Sequence, residues 1–391
     1  MILNKIKNIG KEIENTIRGI CLSELDSVFP EIANRALRNL PSLTSADIFE
    51  ELSENDLPKQ WCPDHQFGDS RFTLFFRDEF IIELNVWQSE FTSIHEHSFS
   101  GAFRVLSGQA LEIIYDYMID STIAKDVHLG RLEKKGVNLL RPGDQSKIHT
   151  KNEYIHNLVH LENPTCTLII RTSFDHDEIK ETKLSQLEYV DYLLAFNSFP
   201  YPEGNNKLHT AVQSVNMYCN LEEKVEDRLF LNILSSLNDD EVFHLISKTF
   251  RVKDWLQNGR VKELLDSRLS NRTNIIVNAL LRDASKNNSF SFFRSKFLSR
   301  KTRTMLAALY CSQGKAELQS IFKMLFEEDS IYEIASMTVR KLNQEAELFA
   351  KQSEQGLINA MTKLTEENLD KEALEIKNNL EQGIFRAFAQ P

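Results

Sequence analysis

The residues best placed to do chemistry are histidines. His95 and His97 stand two apart in Ile94-His95-Glu96-His97. On a β-strand residues i and i+2 point to the same face, so this pair presents two imidazoles side by side. A third ligand must come from another strand. His156, in Tyr154-Ile155-His156-Asn157-Leu158, lies in a β-rich run after the turn Arg141-Pro142-Gly143-Asp144. His149 competes for the place but precedes the polar stretch Thr150-Lys151-Asn152-Glu153, so His156 is preferred. Three neutral imidazoles bind a divalent first-row metal and leave coordination positions free. The competing structural reading has His95 and His97 flanking a surface turn and His156 as a satisfied core histidine. It is the better one for an isolated His-x-His. Here a glycine stands eleven residues after the second histidine, at Gly108, followed by Pro142-Gly143 and the third histidine. That order argues for a site.

The elements that must position these groups show a change of period. Up to about residue 55 the pattern is helical, with Ile6, Ile9, Ile13 and Ile17 and then Leu22, Leu25, Val28, Ile32 and Leu37. From about residue 70 the period becomes two: 71–76, 80–87, 109–115, 137–140, 154–160 and 165–172 are β-rich and separated by turn residues. Short strands at such spacing mean a sandwich or barrel. After Pro200, Pro202 and Gly204 the pattern is helical again, with helices expected near 225–237, 240–249, 275–281, 304–310, 317–326, 331–351 and 366–388. The reading is an α+β multidomain chain. It divides into an N-terminal helical segment (1–60), a central β-barrel (61–178) and a C-terminal all-α domain (179–391).

Composition narrows the class. With 391 residues, 41% hydrophobic and 26% charged, the chain is globular and too long for one ordinary core. A formal charge of −11 disfavours nucleic acid and anionic membrane as main partners. One basic, aromatic stretch runs against that average: Arg282, Lys286, Arg294, Lys296, Arg300, Lys301 and Arg303, with Phe290, Phe292, Phe293 and Phe297 between. It reads as a helix with a solvated basic face and a buried Phe face, or as a surface for RNA or a phosphate. Five scattered cysteines without Cys-x-x-Cys fit neither a zinc knuckle nor a disulfide framework. No secretory signal or membrane-spanning window is present, so the expected location is cytoplasmic.

At His95, His97, Gly108, Pro142, Gly143 and His156 the chain resembles the cupin superfamily over residues 70 to 175 or so. That family's first motif is His-x-His, an acid and a glycine, and its second is a Pro-Gly turn followed by His. The acid is missing, its position falling on Gly101 or Ala102. Three histidines without the acid are similar to the cysteine dioxygenase group of thiol dioxygenases. The resemblance implies a double-stranded β-helix barrel with Fe(II) on His95, His97 and His156, Zn, Ni and Mn being the alternatives.

The match departs from that group in the strand after the third histidine. Thr167, Ile169 and Arg171 stand where Ser, His and Tyr are expected. If position 102 faces inward, parity turns Arg104 inward too, and Arg171 shares a face with Thr167. A buried guanidinium needs an anion. A substrate carboxylate or phosphate would serve, as would an internal bridge to Glu83 or Glu112. His160, four residues after His156, and Tyr154 share its strand face. Each is a candidate catalytic group beside the metal, with a structural role as the alternative. Glu96 points away by parity.

The function implied is a metal-dependent oxygenase acting on a small polar or anionic molecule, a thiol or an amino-acid derivative. The alternatives are a non-catalytic metal-binding regulator and a zinc or nickel isomerase or hydrolase. A homodimer is left open.

Overall fold

The computed structural model describes residues 2–60 apart from 39, 41–43, 55–56 and 59, and residues 70–173 apart from 89–90 and 125–126. It also describes 187–190, 194–197, 299–312, 315–326 and a few single positions between 232 and 340.

Three helices precede the strands: α1 (Ile2–Ile17), α2 (Leu22–Leu37) and α3 (Ser45–Glu54). The isoleucines at helical spacing form the buried stripe of α1, and Leu25, Phe29, Ala33 and Leu37 form that of α2. Both stripes lie on the outer face of a five-stranded antiparallel sheet. Its order is β1 (Ser70–Phe76), β2 (Phe80–Trp87), β9 (Thr165–Thr172), β4 (Gly101–Ser107), β7 (Gln145–Ile148). The fit is close at Gly10, where a Cβ would stand 2.6 Å from the Phe75 ring.

The second sheet closes on itself in the order β10 (Leu187–Val190), β11 (Leu194–Asn197), β6 (Val127–Leu140), β5 (Ala110–Ala124), β8 (Lys151–His160), β3 (Ile94–His97). Its outer face, with Leu111, Ile113, Tyr115, Ile155 and Val159, is covered by α4 (Arg300–Cys311) and α5 (Lys315–Leu325) through Met305, Leu306, Ile321 and Phe322. Each such burial contributes about 1.5–3 kcal/mol. A salt bridge from Lys134 to Glu317 at 2.6 Å joins α5 to β6.

Alternation sorts the residues between the sheets. On β2 and β9 the members Phe80, Ile82, Leu84, Val86, Cys166, Leu168 and Ile170 face the helices. Glu83, Asn85, Trp87, Thr167, Ile169 and Arg171 therefore face inward. Both faces of these two strands are covered, so every residue in them is buried. From the opposite sheet Glu112, Tyr154, His156, Leu158 and His160 point back.

The strand region extends past the expected boundary at 178. Beyond it stand β10 and β11, with Glu188 paired to His95 and Leu194 to Leu129. Of the C-terminal helices, those near 304–310 and 317–326 are present. The others, apart from single positions, and the Pro200–Gly204 stretch lie outside the described residues. Arg294, from the basic segment, is 1% exposed and donates to the backbone carbonyls of His160 and Arg303. Phe290, Phe292, Phe293 and Phe297 lie outside the described residues. No described helix is long and apolar enough to cross a membrane.

Candidate metal centre

Strand pairing brings the three histidines together. His95 stands opposite His156, and an irregularity in the β3–β8 ladder then sets His97 opposite Lys151. The shift lets both histidines of β3 reach one point. Ring centroids lie 4.7 Å apart for His95–His97, 4.9 Å for His95–His156 and 5.1 Å for His97–His156. One ligand atom from each lies within 4.8 Å of the others, and all three residues are buried.

Protonation suits ligation. His95 Nδ1 donates to the Ser93 carbonyl at 2.8 Å, since a carbonyl only accepts, which leaves Nε2 as a lone pair. Burial, reinforced by His156 and opposed by the Ser93 bond, pulls the His95 pKa down to about 3. Burial and then the neighbouring His95, His156 and Arg171 hold His97 well below the usual histidine range. Both are neutral near pH 7, as metal ligands must be. Nε2 of His97 and Nε2 of His156 are 3.0 Å apart. Two donors at right angles on a metal with bonds of about 2.1 Å would stand roughly 3.0 Å apart, so the group fits a divalent transition ion.

Behind His156 lies a carboxylate. Glu112 accepts from His156 Nδ1 at 3.4 Å, from Asn138 Nδ2 at 3.2 Å, from Ser146 Oγ at 3.3 Å and, in a close contact, from the Tyr154 hydroxyl. Burial raises its pKa, but the donors together outweigh burial and hold it below the usual carboxylate value. Burial and Glu112 push the Tyr154 phenol well up. The Tyr154 ring packs on His97 and on His156, with centroids at 5.8 and 4.4 Å.

The other expected residues separate. Arg171 faces inward, yet its Nε is bound to Glu83 Oε2 at 2.8 Å and its guanidinium lies over Phe99 at 5.0 Å. Arg104 does not face inward. Ala102 and Leu106 pack against α1 and α2, and Arg104 Nη1 donates to the Leu37 carbonyl at 2.7 Å, at the C-terminal end of α2. There a cation meets the negative end of a helix dipole. Phe103 and Val105 take the inward positions. At Gly101 a Cβ would overlap the Ile170 carbonyl oxygen, so no acid could stand there without moving β9. His160 stacks on Trp87 at 5.1 Å, and Trp87 Nε1 donates to Thr167 Oγ1 at 3.0 Å. His149 is at the surface, 3.9 Å from Glu153. Glu96 points away from the histidines but is buried, accepting from the Tyr189 hydroxyl at 2.9 Å and from Leu187 N at 3.3 Å. Burial pushes its carboxyl up.

Glu112, offered by the sequence only as a partner for a guanidinium, and Tyr189, not singled out at all, are the groups whose places at the site the structure adds. Glu112 carries a signal, being the one acid in Ala110-Leu111-Glu112-Ile113-Ile114-Tyr115. Tyr189 carries none.

No protein-family model and no curated protein matches the chain. Among solved structures, hydroquinone 1,2-dioxygenase from a Sphingomonas species is similar at 14% identity and TM-score 0.22, over 27% of this chain and 67% of that one. The lyase DddQ from Ruegeria pomeroyi is similar at 13% identity and TM-score 0.23, over 38% and 74%. A cupin superfamily protein from Desulfitobacterium hafniense is similar at 16% identity and TM-score 0.19, over 31% and 97%. Likenesses this distant bear no weight on the chemistry of the site.

Proposed function

We propose that the central barrel is a cupin-type metal centre that binds one divalent transition metal on His95, His97 and His156. Its leading use is non-haem Fe(II) dioxygenation of a small anionic molecule. The convergence of three buried imidazoles, two of them held neutral, carries this reading. When bound, Fe(II) would supply one-electron chemistry and Lewis acidity that no side chain offers.

The chain's own residues do the rest. Phe99, Phe103, Leu158 and Ile169 wall the group and exclude water. Charge selects the ligand. The described inward-facing ionic groups are Glu112, Glu83 and Arg171, with Arg71 at 3.7 Å from Glu83. Two cations and two carboxylates balance, so a bound divalent cation would leave the interior positive and favour an anionic substrate such as a carboxylate or thiolate. Tyr154 and His160 act as positioning groups in this account, the phenol turned to Glu112 and the imidazole to Trp87.

The test is oxygen consumption by Fe(II)-loaded full-length protein over a panel of small thiol and amino-acid carboxylates. The reading expects uptake with at least one, abolished in His97→Ala. Metal binding with no uptake across the panel would favour the second reading, a non-catalytic ligand-binding metallocupin. That reading has one observation behind it: Arg104 and Arg171, the expected substrate anchors, are engaged by Leu37 and Glu83.

A further inference from the structure

Four donors converge on one carboxylate, the 2% exposed Glu112: His156 Nδ1, Tyr154 Oη, Asn138 Nδ2 and Ser146 Oγ. We infer that Glu112 is the positioning residue of the metal centre, fixing His156 in the tautomer that ligates through Nε2 and supplying the anion that the cupin-like motif lacks. The inference rests on the metal-centre reading above.

A neutral imidazole has one N–H, and an ionised carboxylate only accepts. Facing Glu112, His156 keeps its proton on Nδ1 and turns a lone pair on Nε2 into the group, where Nε2 stands 3.0 Å from His97 Nε2. A carboxylate behind a ligand imidazole orients the ring and makes its free nitrogen more basic. The position matters as much as the charge. Gly101 has no room for a side chain beside Ile170, and Ala102 faces the helices, so neither candidate for the motif's acid reaches the site. Glu112 reaches it from β5, one side chain further out. Tyr154 serves the same end. Its ring packs on His97 and His156 while its hydroxyl donates to Glu112 Oε1, the oxygen nearest His156. This tyrosine steadies the carboxylate.

The test uses full-length, metal-free protein. Zn(II) affinity is measured by competition with a fluorescent chelator for the wild type, Glu112→Gln and Tyr154→Phe, with unfolding curves for each. Tautomers are read from 15N-histidine spectra of the wild type, with His156 assigned by its absence in His156→Ala. The inference expects Nδ1–H at His156, a roughly 10–100-fold loss of Zn(II) affinity in Glu112→Gln, and a smaller loss in Tyr154→Phe. Glu112→Gln binding Zn(II) within about twofold of wild type would overturn it, as would Nε2–H at His156. If Glu112→Gln does not fold, the wild-type tautomer decides. If the wild type binds no Zn(II), the metal-centre reading fails, while the tautomer still tests the Glu112–His156 pairing.

Discussion

Two glutamates face each other across the barrel interior, and they are used in opposite ways. Glu83 on β2 and Glu112 on β5 are 1% and 2% exposed; Glu83 is the single acid of its strand, and Glu112 is the one acid in the apolar first half of β5, 110–115. Glu83 meets two guanidinium groups, Arg171 at 2.8 Å and Arg71 at 3.7 Å, so its charge is spent inside the protein. Glu112 meets hydroxyls, an amide and the Nδ1 of His156, and its charge remains to act through that imidazole. The sheets behind them differ as well. The Glu83 sheet rests on α1 and α2, whereas the Glu112 sheet rests on α4 and α5 and is closed by β10 and β11. In this barrel the two buried carboxylates differ in their partners: guanidinium groups for Glu83, and hydroxyls, an amide and one imidazole for Glu112.

The largest break in this comparison comes from truncation at residue 178. It leaves the support of Glu83 in place and strips that of Glu112. Leu111, Ile113, Ile155 and Val159 would be uncovered, and β3 would lose Glu188 opposite His95. The expected product is insoluble, or soluble without metal. A soluble fragment that binds Zn(II) like the full chain would show that the C-terminal part is an appendage.

Next in size is Glu83→Gln, which leaves Arg171 buried without its anion. It should cost about 3–5 kcal/mol of stability in denaturant unfolding and leave the Zn(II) affinity of the folded protein unchanged. Adding Arg171→Met to Glu83→Leu should recover most of the loss, because removing both partners of a buried pair is far less costly than removing one. A Glu83→Gln protein of normal stability with weakened metal binding would reverse the assignment of the two glutamates.

Counted per pH unit, acid titration gives the smallest effect. His95, with a usual pKa near 6.5 and a folded value of about 3, binds more protons unfolded than folded throughout that interval. Metal-free protein should therefore lose stability as pH falls below about 6.5, by up to about 1.4 kcal/mol per pH unit for each such histidine. Glu112, held below 4.5, adds a further loss only below that value. His95→Asn should flatten the slope between pH 6.5 and 4.5, and Glu112→Gln should flatten it only below 4.5. Equal flattening by both in the upper window would contradict the separation.

The sequence made the histidines legible because a spacing of two on a strand fixes a shared face, and because His156 lay in a β run while His149 did not. It also made Glu83 legible as a partner for Arg171. Arg104 failed on parity by one residue. Setting position 102 inward turns Arg104 inward too, but Ala102 belongs to the helix-facing set with Leu106, and its neighbour Phe103 faces inward. The sequence offers Glu112 only as an ion-pair partner, since a strand pattern shows that an acid is buried and not which imidazole it meets. The strands at 187–197 were lost to the helical region because four-residue segments are too short for a period to register. The cover of α4 and α5 on the barrel was equally hidden, as an amphipathic pattern names a buried face and never its partner.

The most direct measurement is the metal content, by elemental analysis, of full-length protein purified without added metal, compared with His156→Ala and His149→Ala. The account predicts one transition metal per chain in the wild type, none in His156→Ala, and the wild-type content in His149→Ala. Metal retained by His156→Ala, or lost from His149→Ala, would contradict it.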